Sequence, residues 1–179
     1  MRRFQISDFR SQIVGAMIDH RDSYHGCPNL DWLPQRHEYR VVQSPERWFG
    51  FCNRDGKWLI PRNGLHTDQG SIPAILTPIV PSDAYWAFLI HDDLYQFGKR
   101  EIYRLDRDGF PMLDIVVDEE PVTREQADLW LYDAMKVENQ HGNGNWLEAW
   151  LIYKKVHRWG FVAWNKHNDG RRKSGFKIV

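Results

Sequence analysis

The sequence predicts an α+β fold, in which a small antiparallel sheet (strands within about 37–60) packs with a three-helix core (about 83–97, 124–139 and 145–163). Three observations carry this reading. Short β-branched and aromatic runs punctuated by a turn signal fill the first third of the chain. Capped segments with apolar residues three and four apart fill the rest. No internal repeat or low-complexity linker separates the two. A chain of 179 residues is long enough for one sizeable core, so 1–179 is expected to form a single domain. Residues 1–35 read as a peripheral N-terminal arm, with a short helix over Phe9 to Ile18 capped by Ser7. Residues 165–179 read as a peripheral basic tail.

Tyr39, Val41 and Val42 form the first expected strand, and Trp48, Phe49 and Phe51 the second. Asn53-Arg54-Asp55-Gly56 turns the chain back into Lys57 to Ile60, and Pro61 ends that arm. Residues 64–82, rich in Gly and Pro, read as a loop. Ser82 caps a helix to Phe97, which Gly98 stops. Residues 101–120 read as a second hairpin about Asp106-Arg107-Asp108-Gly109. An EF-hand loop fails there, because the glycine comes too early and no glutamate closes it. Thr123-Arg124-Glu125-Gln126 is a capping box opening the second helix. Asn145 opens the third, whose stripe carries Trp146, Ala149, Trp150, Tyr153, Val156 and Gly160. Gly160 on that stripe permits close approach of a neighbour.

Basic and acidic residues both number 24, so the net charge is zero and no global field draws the chain to nucleic acid or an anionic membrane. The basic run Arg171-Arg172-Lys173 and the acidic stretch Asp114 to Glu120 read as solvated surface. Cys27 and Cys52 make no disulfide framework, and a reducing compartment follows. Polar residues interrupt any apolar stretch after Met1-Arg2-Arg3, and the longest apolar run, Trp86 to Ile90, is too short to span a bilayer. Synthesis in the cytoplasm is expected. Nine tryptophans serve cores first and partner surfaces second.

On a helical wheel, Ala84, Ala87, Phe88, Leu94 and Tyr95 form the apolar face of the first helix, and His91 falls inside it. Tyr95, four residues on, lies on the same side. Asp128 falls inside the core stripe of the second helix, with Ala127, Leu131, Ala134 and Met135. Two buried ionisable groups on facing stripes are least costly when paired. Asp128 is therefore expected to accept a hydrogen bond from one His91 nitrogen, leaving the other as a base. Asp92 is left free for a metal. The same residues fit a structural polar contact.

Taken together, Thr67-Asp68-Gln69-Gly70-Ser71-Ile72-Pro73, His91-Asp92-Asp93-Leu94-Tyr95, Ala127-Asp128 with Met135, and Tyr153, Val156 and Gly160 resemble a phage- and prophage-associated family of unknown function. The resemblance covers about residues 36–162. It implies a virion protein of tail, baseplate or neck, made in the host cytoplasm, with other phage structural proteins as partners. The family's His-Asp helix is in turn similar to that of secreted phospholipases A2. That likeness implies a lipid or ester substrate, with His91 as base, Asp128 orienting it, Tyr95 supporting, and Asp92 as a calcium ligand. The chain lacks the Gly- and Cys-rich calcium loop, so the loop from His66 to Ser71, with Asp68, would supply the other ligands. Two alternatives stand beside it: a structural virion protein that keeps the site without the chemistry, and an HD-type phosphohydrolase using His91, Asp92, His66 and Asp128.

Overall fold

The computed structural model describes residues 19–36, 38–67, 85–140 and 146–173. The described elements are β1 (Ser23–His25), β2 (Leu30–Leu33), β3 (Glu38–Val41), β4 (Gly50–Cys52), β5 (Trp58–Leu59), β6 (His66–Thr67), α1 (Tyr85–Phe97), β7 (Lys99–Leu105), β8 (Pro111–Pro121), α2 (Arg124–Gln140), α3 (Trp146–Trp159) and α4 (Phe161–Lys173). The fold is mixed α+β, as the sequence predicts. Its strands form two small antiparallel sheets, ordered β1-β4-β5 and β2-β3-β6, and a separate β7-β8 hairpin.

Three expectations change. β1 and β2 lie in the stretch read as an arm, yet they pair with β4 and β3. The expected helix over Phe9 to Ile18 lies outside the described residues. Within the stretch expected as a loop from residue 64, His66 and Thr67 pair with Arg40 and Tyr39 as β6, and residues 68–82 lie outside the described residues. The third helix, expected over 145–163, ends at Trp159, and the stretch read as a basic tail is largely α4. Helical hydrogen bonds continue across the break, from the Gly160 amide to the Val156 carbonyl (2.6 Å) and from the Trp164 amide to the Gly160 carbonyl (2.9 Å). The helical hydrogen bonding is therefore carried through Gly160. Just beyond it, Trp164 stands edge-on to Tyr95, with ring centroids 5.1 Å apart.

Other punctuation follows its chemistry. The Asn53 side chain accepts the Asp55 and Lys57 amides inside the β4–β5 turn. Thr123 and Gln126 exchange the two bonds of a capping box at 2.9 and 3.2 Å. Gly98 takes φ +65° just past α1, where a side chain would be strained.

The core lies where α1 meets α2 and the first two sheets, with Phe49, Phe51, Leu59, Leu89, Leu94 and Leu131 all but fully buried. Each such side chain contributes about 1.5–3 kcal/mol of burial. Tyr24 packs among Phe49, Phe51 and Trp86. Near it, the Glu138 carboxylate of α2 accepts the Ala87 amide of α1 at 3.0 Å. This contact ties the first described turn of α1 to α2. Burial first, and the Glu138 charge next, push the Tyr24 phenol well above its ordinary pKa.

Glu138→Ala removes this buried tie between α1 and α2. A loss of about 1–3 kcal/mol is expected in urea unfolding, with hydrogen-exchange protection falling first at the start of α1.

Candidate functional site

The Ala87–Glu138 and His91–Asp128 contacts run in opposite chain directions, so α1 and α2 pack antiparallel. The stripe of α1 that carries Ala87, Leu94 and Tyr95 thereby faces the stripe of α2 that carries Ala127, Asp128 and Leu131. All six are buried. His91 sits on the same face at 7% exposure, and Asp128 has none. An ionised carboxylate at such a position costs several kcal/mol unless its lone pairs are met.

Four donors meet them. Oδ1 accepts from His91 Nε2 at 3.2 Å and from the Tyr95 hydroxyl at 2.5 Å. Oδ2 accepts from Arg124 Nη1 and His157 Nδ1, both at 3.3 Å. Arg124 also donates to the His157 carbonyl at 2.7 Å, which ties the start of α2 to the end of α3. A carboxylate offers about four acceptor sites, so this one is saturated.

Burial raises the Asp128 carboxyl, but hydrogen bonds from His91 and Tyr95, with the charge of Arg124, outweigh it and hold the group below its ordinary range. The Tyr95 phenol moves the opposite way, pushed up by burial and then by Asp128. It therefore stays a donor at any ordinary pH. An ionised Asp128 can only accept, so His91 carries its proton on Nε2. Nδ1 hydrogen-bonds to none of the described residues. The contact expected between His91 and Asp128 is present, and Tyr95 lies alongside, its ring 3.9 Å from the imidazole.

Asp92 is not free, contrary to expectation. About 100° round the helix from His91, it accepts the Thr67 hydroxyl at 2.6 Å. β6 runs beside α1 there, held also by Gln96 Nε2 donating to the His66 carbonyl at 2.7 Å. Asp93 turns to a third neighbour. It accepts the Arg62 amide at 2.9 Å and the Arg62 guanidinium at 2.7 Å, while Arg62 Nε reaches Glu101 at 3.0 Å. Burial pushes the Asp93 carboxyl up to about 7, with Arg62 opposing.

Of the expected metal ligands, only Asp92 lies within the described residues. Asp68 lies outside the described residues. Among the described residues, no group of three or more His, Cys, Asp or Glu side chains is placed to hold a metal ion. The ligand set of the HD-type reading is also not brought together. His66 lies in β6 with Nδ1 3.3 Å from Glu38, and both Asp128 oxygens are occupied.

Several contributors went unread in the sequence. Arg124 stands one helical turn before Asp128, a spacing that signals an ion pair. His157 follows Tyr153 by four residues, and their rings stack at 5.5 Å. No local signal marks Arg62 or Thr67, whose roles depend on how the sheets fold back on α1. Gly160, by contrast, fits the expected close approach: a Cβ there would collide with the Tyr95 hydroxyl.

A mixed α+β domain with a histidine–aspartate pair buried between two antiparallel helices is what the geometry defines. Residues 46–156 match the model of a family described as "Protein of unknown function (DUF1353)". The match spans more than half the chain, including His91, Asp92, Asp93, Tyr95 and Asp128, and the protein belongs to that family. No curated protein and no solved structure matches it.

Asp128→Asn leaves Arg124 and His157 facing a neutral amide, and should cost about 3–5 kcal/mol at pH 7. Because the folded carboxyl titrates below its unfolded value of 3.8, its contribution is complete above that value and fades as pH falls through the folded one. Urea titrations at several pH values should therefore show the gap between wild type and variant narrowing below about pH 4. Gly160→Ala forces Tyr95 away from Asp128, and a loss of about 1–3 kcal/mol is expected in the same assay.

Proposed function

We propose that the chain is a phage-encoded, virion-associated hydrolase whose His91–Asp128 site cleaves an ester bond, with phospholipid esters as the substrate class. One observation carries this: His91 is held at Nε2 by a saturated carboxylate while Nδ1 bonds to none of the described residues. In that state Nδ1 can accept a proton from water as the oxygen attacks the ester carbonyl. Asp128 stabilises the imidazolium that forms, and the same proton then passes to the departing alkoxide. Tyr95 and His157 keep the carboxylate oriented and take no part in the proton transfer. The resemblance of the His-Asp helix to that of phospholipases A2 supports the substrate class. The resemblance of the joint motif to phage-associated proteins supports the virion setting. No step here passes through calcium, whose requirement the assay reads separately.

A second observation favours a structural role. Asp128 is shared among four donors from three helices, and His91 is nearly sealed, which also describes a polar lock within a virion protein.

Hydrolysis of phosphatidylglycerol vesicles and of a soluble p-nitrophenyl ester, with and without calcium, separates the two. The hydrolase reading expects turnover that falls about 10²–10⁴-fold in His91→Ala, with circular dichroism showing the variant folded. A wild-type rate no higher than that of folded His91→Ala would leave the structural role.

A further inference from the structure

The zero net charge of the chain conceals a strong asymmetry. Residues 146–173, which make up α3 and α4, carry seven Lys or Arg against two acidic residues, so the rest of the chain is correspondingly acidic. These helices also hold the densest exposed apolar surface described. Trp146, Leu147, Trp150, Trp159, Phe161 and Val162 are all well exposed, with Trp150 at 40% and Trp159 at 54%.

The two kinds of residue are interleaved. Leu147, Trp150, Lys154, Arg158 and Phe161 follow one another at intervals of three and four, along the side of α3 opposite the buried Ala149 and Ile152. The Lys154 ammonium lies over the Trp150 ring, 5.6 Å from its centroid, and the Arg158 guanidinium lies 5.8 Å from the centroid of Trp159. Cations thus sit beside aromatic rings that water would otherwise cover.

We propose that this face of α3 and α4 docks on the surface of an anionic lipid bilayer. Tryptophan and short aliphatic side chains enter the headgroup boundary, and the adjacent Lys and Arg meet lipid phosphates. Charge selects this occupant over others. A second copy presenting the same face would bring Lys154 and Arg158 against like charges. The first 18 residues hold three arginines and one aspartate, so they too are repelled. A nucleic acid would satisfy the cations but give Leu147 and Val162 nothing. No helix described is long and apolar enough to cross a membrane, so contact lies in the plane of the interface. The face adjoins the His91 site, since His157 of α3 touches Asp128 and Trp164 of α4 touches Tyr95. The docking does not require the hydrolysis proposed above.

Co-sedimentation of the full chain with phosphatidylglycerol/phosphatidylcholine vesicles, and with phosphatidylcholine vesicles alone, tests the proposal. Binding to the anionic vesicles is expected, weakening as salt rises. It should drop at least about tenfold in the double variant Lys154→Glu, Arg158→Glu, and should also fall in Trp150→Ala. Thermal melts verify that both variants are folded, and neither alters the His91–Asp128 contact. Absence of binding to anionic vesicles, or binding that survives the charge reversal, overturns the proposal. So does a wild-type dimer in light scattering that Trp150→Ala dissociates, since the face would then be a protein interface. Repeating the sedimentation with His91→Ala, and ester hydrolysis with the soluble substrate, keeps docking and catalysis separately falsifiable.

Discussion

The carboxylate of Asp128 has no exposure to solvent, and an ion in that position constrains everything around it. Its stability depends on donors, and those donors come from three different helices. His91 and Tyr95 rise from α1, Arg124 stands one turn earlier in α2 itself, and His157 reaches in from α3. Each contact fixes the rotation of one helix about its axis as well as its distance. Apolar packing alone tolerates small slippage of helix on helix, whereas a saturated buried carboxylate does not. The Gly160 joint belongs to the same constraint, because only a residue without a side chain leaves room there for the Tyr95 hydroxyl.

The tripeptide His91-Asp92-Asp93 extends that constraint to the strands. Successive residues on a helix point about 100° apart, so three adjacent polar side chains address three different neighbours. His91 faces α2, Asp92 holds Thr67 of β6, and Asp93 holds Arg62, which in turn reaches Glu101 of β7. α1 is thus the axle on which the helices, the second sheet and the hairpin are mounted. A motif that reads as an enzyme signature also has a structural reason to be there, and the histidine is the member whose ring retains a nitrogen unbonded by any described residue.

Much of this was legible in the sequence where the governing interactions are local. The capping box at Thr123, the turn at Asn53 to Gly56, and the stop of α1 at Gly98 follow from short-range chemistry. The His91–Asp128 contact was legible for a different reason: two ionisable residues on two core stripes leave few solutions other than pairing. What escaped depends on sheet topology. Thr67 and Arg62 reach Asp92 and Asp93 because β6 pairs with β3 and lies along α1, and no local pattern near residue 66 announces that pairing. Gly160 was legible as close approach but not as the end of α3, since helical hydrogen bonds continue across it. The charge asymmetry was present in the composition but hidden by its zero sum.

The account turns on which His91 nitrogen carries the proton. Orientation by Asp128 requires it on Nε2, leaving Nδ1 as the lone-pair nitrogen available to a water molecule. Long-range ¹H–¹⁵N correlation spectra of the histidine rings, with His91 assigned by its substitution, read this directly at neutral pH. A protonated Nε2 and an unprotonated Nδ1, with the pattern lost in Asp128→Asn, is the predicted result. A proton resident on Nδ1 in the wild-type protein would contradict the account.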